Sequence, residues 1–297
     1  SSTLKCFGVV TRTLVGWIPS LSSPKHFKVE DGELVALRLS KLDQNVNLAL
    51  FHLWPGLLAL TALPGARRSI ARALFILSVV AVIALSEHDS SQVALIGSAF
   101  VVVAAVKWRT AVIRVLAVAW CAAFALVLPA SIALYEGGWH LSDRLPTSAR
   151  ARIILWQYTA EQTFDRPFLG VGVNSTPELR KQQKATEGGI APEGFVYPRT
   201  MGHHAHNIYL QSWYELGVIG ALLLAIAGAA VALLMLLLPP ATQAYAAGSF
   251  AAFAIVSAFA WGMWQSWFLC AVALLPIYLR LGMSNAAGEV TEAARAA

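Results

Sequence analysis

The chain has 297 residues, of which 57% are hydrophobic and 13% are charged. Soluble domains have roughly 45–50% apolar and roughly 25% charged residues, so this composition excludes a soluble globular protein and indicates an integral membrane protein. The net charge of +6 does not indicate nucleic-acid binding, because the Lys and Arg residues lie in short clusters beside apolar runs, as membrane topology requires. The cysteines Cys6, Cys121 and Cys270 are too widely spaced to predict a disulfide framework or a Cys-rich metal site.

Residues 1–46 are polar or mixed and predict an amphipathic or irregular segment outside the bilayer. Their longest apolar piece, Phe7 to Ile18, is too short to span a membrane and contains Arg12. The chain begins with Ser1 and lacks the order of regions typical of a signal peptide. We therefore expect a fragment or a processed form of a longer protein.

Seven apolar runs follow, each near the ~20 residues that a helix needs to cross ~30 Å of hydrocarbon. They lie at about 46–63, 70–86, 91–106, 112–134, 207–238, 244–260 and 263–282. The run 91–106 is short, so a re-entrant segment remains an alternative to a span. We predict an all-α polytopic helix bundle with four spans in 47–134, an outer loop at 135–206, three spans in 207–282 and a tail at 283–297.

Basic residues mark one face of this bundle. The connection at 86–90 has no Lys or Arg, whereas the connections on the opposite face and the end of the last span carry Arg67, Arg68, Arg72, Lys107, Arg109, Arg114 and Arg280. The positive-inside rule makes the basic face cytoplasmic. The N-terminal segment and the loop 135–206 then lie on the outer face, which in a bacterium is the periplasmic side.

The loop 135–206 contains a predicted interfacial helix from Arg150 to Phe164, in which Arg152 and Trp156 share a face. Pro167 and the glycines after it end this helix. The Gly- and Pro-rich stretch 188–198 predicts a mobile lid. Farther along the chain, the tryptophans near the last outer connection indicate an aromatic belt; they are Trp261, Trp264 and Trp267.

Three histidines, His203, His204 and His206, precede the longest apolar run. Asn207 is a suitable N-cap, which would place His206 at the positive end of a helix dipole. The alternative is that the histidines merely solvate a helix end. Zinc is possible in principle, but no carboxylate or Cys is paired with them.

Arginines supply the second part of the predicted site. Arg38 precedes the first span, and Arg150 and Arg152 open the loop helix. Such residues often contact lipid headgroups, but on the outer face they oppose the topology bias. Guanidinium groups bind phosphate bidentately. Two of them with a histidine at a helix N-terminus predict a site for a lipid-linked diphosphate, with charge stabilisation that needs no metal.

Four motifs carry a family resemblance. They are H-N-x9-G-x-x-G at His206 to Gly220, R-x3-L at Arg38 to Leu42, R-x3-W at Arg152 to Trp156 followed by Asp165 to Gly172, and Asn45-Val46-Asn47. Together they resemble the O-antigen ligase family (WaaL), within the O-antigen ligase and polymerase superfamily. The likeness covers residues 38–225. Gly217 and Gly220, three residues apart, also predict close helix packing.

The resemblance implies a glycosyltransferase C-like membrane enzyme that works without a metal or cofactor. It would transfer a polysaccharide from undecaprenyl diphosphate to a hydroxyl of the lipid A core, with inversion, at the periplasmic face of the inner membrane. Arg38 and Arg152 would bind the diphosphate, and His206 would activate the acceptor hydroxyl or stabilise the leaving group. Substrate-binding roles are expected for Arg150, His203, His204, Asn207 and Tyr209.

The chain departs from the family pattern in two ways. Relatives have about a dozen spans, which implies further helices before this chain, and the connection 86–90 lacks the arginine that relatives often carry. An O-antigen polymerase or a protein O-oligosaccharyltransferase would use the same donor. A transporter is the alternative of another class, but it would need ionisable residues in mid-membrane and broken helices, and the charged groups here cluster at one surface.

Overall fold

The computed structural model describes residues 27–30, 33–36, 39–86, 88–186, 202–259 and 262–296, and these form a helical bundle. Its helices are α1 (Leu39–Ala59), α2 (Gly65–Ala84), α3 (Asp89–Glu136), α4 (Thr147–Thr163), α5 (Thr176–Thr186), α6 (Ile208–Leu234), α7 (Pro240–Phe259) and α8 (Ser266–Ala296). Four of these helices are long and apolar enough to cross a membrane, namely α3, α6, α7 and α8. The protein is therefore an all-α polytopic membrane protein, as the composition predicted.

A short β-hairpin precedes the bundle and was not predicted. Strand β1 (Phe27–Glu30) pairs antiparallel with β2 (Glu33–Ala36), with Phe27 opposite Ala36 and Glu30 opposite Glu33. The sequence contained its signal, because β1 alternates apolar and charged residues and Asp31-Gly32 is typical of a two-residue hairpin turn.

Helix α3 is a helical hairpin that folds back at Trp108, whose φ and ψ of −121° and 44° are not helical. Val102 lies against Gly248 of α7, and the Trp120 ring lies 5.4 Å from that of Phe250. Val102 and Trp120 would be about 27 Å apart in a straight helix, yet they contact neighbouring positions of α7. The expected spans 91–106 and 112–134 are therefore the two arms of α3, joined by a turn of about one residue.

Small residues of α7 allow its neighbours to approach closely. A Cβ atom at Gly248 would lie 2.3 Å from Val102 and 3.1 Å from Trp54, which come from α3 and α1. The Trp120 ring packs on Gly228 of α6 in the same way, since a Cβ atom at Gly228 would lie 2.2 Å from the nearest ring atom. Packing through small side chains is how membrane helices associate when lipid offers no hydrophobic driving force.

The two ends of the bundle differ in chemistry. At one end, the guanidinium of Arg72 donates to the Tyr245 hydroxyl at 2.7 Å, and Lys107 lies 5.0 Å from the centre of the Trp108 ring. At the other end of α7, the connection to α8 contacts the histidine segment through Gly262 and His204. The basic clusters and the histidines therefore lie at opposite ends of the bundle.

Candidate functional site

The histidine segment ends in the predicted helix cap. Asn207 has extended φ and ψ of −156° and 112°, and its Oδ1 accepts a hydrogen bond from the Leu210 amide at 3.0 Å. His206 immediately precedes this cap with a positive φ of 51°. Non-glycine residues in the left-handed region are uncommon and cluster at functional sites. The rings of His204 and His206 lie 4.1 Å apart.

A hydrogen bond joins the histidine segment to helix α4. Trp156 is 9% exposed, and its indole Nε1 donates to the Ala205 carbonyl at 2.8 Å. Arg152 lies one helical turn before Trp156 on the same face. The motif R-x3-W and the residue before His206 are therefore neighbours in space, although 49 positions separate Trp156 from Ala205.

The predicted helix around Arg152 exists, but its surroundings differ from the prediction. Ile153, Ile154 and Leu155 are at most 5% exposed, because α4 packs against α3 and α6. These side chains were expected to lie in the bilayer surface. They are buried in protein instead, since the histidine segment and two neighbouring helices cover them.

Arg152 lies close to a buried polar chain that was not predicted as part of the site. His88 Nδ1 and the Ser91 hydroxyl are 2.6 Å apart, and that hydroxyl donates to Asn47 Oδ1 at 3.2 Å. The pKa of His88 is lowered to about 4, mainly by burial and also by the Arg152 charge, while Asp89 opposes both. A neutral imidazole therefore stands beside the guanidinium at neutral pH.

His204 is also neutral at neutral pH. Burial lowers its pKa to about 3, with smaller contributions from the charges of His206, His203 and Arg180. Among the described residues, its Nε2 is buried and has no hydrogen-bond partner. Its ring packs against the backbone of Gly262, where a Cβ atom would lie 2.9 Å from His204 Cγ.

A buried carboxylate that was not predicted lies two turns into α6. Glu215 is 0% exposed, and four groups donate to it. They are the Asn174 amide at 2.9 Å, the Gln211 side-chain amide at 3.0 Å, the Thr176 hydroxyl and the Trp264 indole. Its signal was present, because Glu215 is the single charged residue between 207 and 238, and an ionisable residue inside an apolar run is a functional candidate.

Glu215 joins three segments around a small cavity. Gln211, which donates to Glu215, also accepts from the Met263 amide at 3.1 Å through its Oε1. This ties α6 to the connection between α7 and α8, while Asn174 and Thr176 bring in the segment before and at the start of α5. The cavity between them is partly open to solvent, measures about 170 Å³ and is lined by residues that include His204, Gln211 and Trp264.

Helix α6 breaks at Gly217, where φ is 66° and ψ is −170°. The segment 167–172 crosses this break, and the Val218 amide donates to the Pro167 carbonyl at 2.8 Å while the Val171 amide donates to the Tyr214 carbonyl at 3.0 Å. A Cβ atom at Gly217 would lie 2.3 Å from Phe168. The role predicted for Gly217 in helix packing is therefore wrong, because this glycine admits a backbone crossing.

Comparison with known families identifies the chain. Residues 73–225, about half of its length, match the family described as O-antigen ligase. The chain belongs to the O-antigen ligase family. It is thus a membrane glycosyltransferase-like enzyme of O-antigen processing, of the ligase or polymerase type. The family implies a lipid-linked polysaccharide and the lipid A core as its general partners. A search of the curated proteins found no match.

Two features of the site would also be expected of a transporter, and family membership decides between the two classes. A transporter was expected to have ionisable residues in mid-membrane and broken helices, and the buried Glu215 and the break at Gly217 are such features. In this member of the O-antigen ligase family, they instead shape the wall of the site, because the break and the carboxylate hold segment 167–176 against α6.

Two predicted substrate-binding residues of the chain have structural roles. Tyr209 is 3% exposed, its hydroxyl donates to the Ala254 carbonyl at 2.9 Å, and its ring packs on Trp120 and Phe124. The substrate-binding role of Tyr209 stays a prediction, and in this structure its side chain lies in the core. Asn207 is 7% exposed and uses its side-chain oxygen to cap α6.

The remaining predicted residues have mixed outcomes. Arg150 forms an ion pair with the exposed Asp143 at 3.4 Å. His203 lines the cavity beside His204. Arg38 and the expected lid at 188–198 lie outside the described residues. Within the part of the chain that the structure describes, no group of three or more His, Cys, Asp or Glu side chains is placed to hold a metal ion.

Proposed function

We propose that this protein is a ligase that transfers a polysaccharide from undecaprenyl diphosphate to a hydroxyl of the lipid A core oligosaccharide. The observation that carries the proposal is the hydrogen bond from Trp156 to Ala205, which joins the helix of Arg152 to the segment of His206. A guanidinium for the diphosphate and an imidazole for the hydroxyl thus belong to one neighbourhood. The site would face the periplasm from the inner membrane.

The proposed reaction is a single displacement. The acceptor oxygen forms a bond to the anomeric carbon while the bond from that carbon to the diphosphate oxygen breaks. The proton of the acceptor hydroxyl passes to His206, because imidazole is the side chain that commonly acts as a general base near neutral pH. The electron pair leaves with the diphosphate, whose developing charge Arg152 stabilises, together with Arg38. Attack opposite the leaving group inverts the configuration and needs no metal.

An assay with competing acceptors tests this function. Purified protein in lipid nanodiscs receives a glycan donor linked to undecaprenyl diphosphate, with lipid A core, a second lipid-linked repeat and a pilin peptide offered together. We expect the glycan on the lipid A core. Transfer to the lipid-linked repeat would identify a polymerase, and transfer to the peptide would identify a protein oligosaccharyltransferase.

Two substitutions test the assigned residues in the same assay. Arg152→Ala and His206→Ala should abolish transfer without changing the amount of protein in the membrane, and EDTA should leave wild-type transfer unchanged. Arg144→Ala is the matched control, because Arg144 is an exposed arginine of the same loop. Wild-type rates in Arg152→Ala or in His206→Ala would remove that residue from the mechanism.

A further inference from the structure

The cavity beside the histidines has the chemistry of a site for a neutral molecule. None of the described residues that line it is Asp, Glu, Lys or Arg, and its wall combines an aromatic ring with His, Asn and Gln side chains. Its volume of about 170 Å³ is below the roughly 300 Å³ of the smallest drug-sized pockets. A single ring with hydroxyl groups fits this volume and chemistry.

A buried nitrogen of this wall lacks a partner among the described residues. His204 lines the cavity, and within the described part of the chain its Nε2 is buried without a hydrogen-bond partner. Buried polar atoms nearly always have a partner, so an exception calls for an explanation. A sugar hydroxyl can donate or accept, and it would therefore satisfy Nε2 in either tautomer of the ring.

The polar atoms of two neighbouring wall residues, Trp264 and Gln211, already have partners. The Trp264 indole nitrogen donates to Glu215, so the contribution left to Trp264 is its apolar ring. Gln211 donates to Glu215 and accepts from the Met263 amide, which fixes the plane of its side chain. Glu215 itself is buried behind the wall. It is a positioning residue, because it orients Trp264 and Gln211 without lining the cavity.

We propose that this cavity is a subsite for one neutral sugar ring, which packs on Trp264 and hydrogen-bonds to His204 Nε2, and that Glu215 fixes the geometry of the subsite. The assignment of a sugar rests on the proposed glycan transfer. The ring belongs either to the acceptor core or to the donor glycan, which share this chemistry. Separate kinetic constants for the two substrates distinguish these sources.

The first test measures KM for donor and acceptor with Trp264→Leu in nanodiscs. We expect KM for one of the two substrates to rise about ten-fold, the factor that ~1.4 kcal/mol of lost contact produces, while kcat changes little. Trp139→Leu is the matched control, since Trp139 is 52% exposed and lies outside the cavity. A rise for the acceptor assigns the subsite to the core sugar, and a rise for the donor assigns it to the transferred glycan.

The role of Glu215 is tested by a double-mutant cycle. Glu215→Gln replaces an acceptor oxygen by a donor amide and should raise the same KM as Trp264→Leu. In the double variant the two effects should not add, because both act on one ring. Additive effects on KM would show that Glu215 only stabilises the fold. A lower melting temperature of Glu215→Gln with an unchanged KM would show the same.

A binding measurement separates this proposal from the proposed function. Dephosphorylated core oligosaccharide and the free O-antigen repeat are titrated against the wild-type protein, with tryptophan fluorescence as the readout. Saturable binding that weakens in Trp264→Leu and in His204→Phe supports the subsite even where no transfer is detected. Normal transfer with unchanged binding and KM in both variants would overturn the subsite and leave the proposed function intact.

Discussion

The buried imidazole of His88 makes the stability of the outer end depend on pH. Its pKa is lowered from 6.5 to about 4, mainly by burial, with Arg152 adding to this effect and Asp89 opposing it. The unfolded chain therefore binds a proton between pH 6.5 and 4 that the folded chain excludes. The stability contributed by neutral His88 is complete above pH 6.5 and is lost as the pH falls toward 4.

A substitution at His88 tests whether protonation of this residue causes the loss of stability at low pH. His88→Asn keeps a polar atom near the Ser91 hydroxyl but cannot titrate in this range. Between pH 7 and 5 the wild type should lose about 2 kcal/mol more of its free energy of unfolding than His88→Asn, measured by thermal unfolding in detergent at both pH values. An equal loss in the two proteins would show that the proton does not bind at His88.

Two independent constraints require glycine at position 217, namely its backbone conformation and the close approach of Phe168. Its positive φ of 66° disfavours any side chain, and Phe168 occupies the place where a Cβ atom would lie. Gly138 has a similar φ of 73°, but among the described residues no atom lies within 4 Å of its Cβ position. Comparing substitutions at Gly138 and Gly217 therefore separates the cost of backbone strain from the cost of a steric clash.

We expect Gly138→Ala to cost about 1–2 kcal/mol of stability, the usual penalty of a left-handed L-residue. Gly217→Ala should cost about 3 kcal/mol or more, because the added methyl group also displaces the segment 167–172. Thermal unfolding of both variants in the same detergent gives the comparison. Equal losses would mean that the crossing of Phe168 over Gly217 contributes nothing.

At the scale of elements, one hydrogen bond couples helix α4 to the histidine segment. Trp156 donates to the Ala205 carbonyl at 2.8 Å, and Trp213 of α6 donates to the Phe124 carbonyl at the same distance. The two indoles make the same kind of bond, but only the first touches the segment that carries His206. Their removal should therefore have equal structural costs and different functional costs.

Trp156→Phe and Trp213→Phe should each lose about 1 kcal/mol of stability, the net value of one hydrogen bond. Glycan transfer should fall about ten-fold or more in Trp156→Phe only, because a displacement of roughly 1 Å in a catalytic group costs up to about a hundred-fold in rate. Initial rates in nanodiscs provide the measurement. An equal decrease of the transfer rate in both variants would show that the hydrogen bond from Trp156 to Ala205 positions no catalytic group.

At the scale of the whole molecule, the two ends of the bundle must face opposite sides of the membrane. The turn at Trp108 lies among the basic residues at one end, and Trp139 follows α3 at the other. Both side chains are more than half exposed, at 58% and 52%. The proposed periplasmic site requires Trp139 outside and Trp108 inside.

Cysteine labelling tests this orientation. Trp108→Cys and Trp139→Cys are placed singly in a background in which Cys6, Cys121 and Cys270 are replaced by Ser. A membrane-impermeant maleimide added to intact spheroplasts should label position 139, and position 108 should be labelled only after lysis. Labelling of position 108 in intact spheroplasts would place the histidine segment in the cytoplasm, where the proposed enzyme could not meet its acceptor.

Some features of the site follow from local sequence. The N-cap at Asn207 and the helix of Arg152 depend on residues within one or two turns, so their patterns predicted them correctly. Tyr209 was predicted as a site residue because it lies beside a histidine cluster in the sequence, which does not show how its ring packs. Its ring is buried by Trp120 and Phe124, which come from another helix.

The sequence by itself determined the membrane class, the helical architecture and the family motifs, because composition, apolar run length and short spacings are local quantities. Only the tertiary structure decided that α3 folds back at Trp108, that Trp156 holds Ala205 and that Glu215 gathers donors from three segments. Asn174 and Trp264 lie 41 and 49 positions from Glu215. No periodicity encodes such contacts, since they depend on which helix faces pack together.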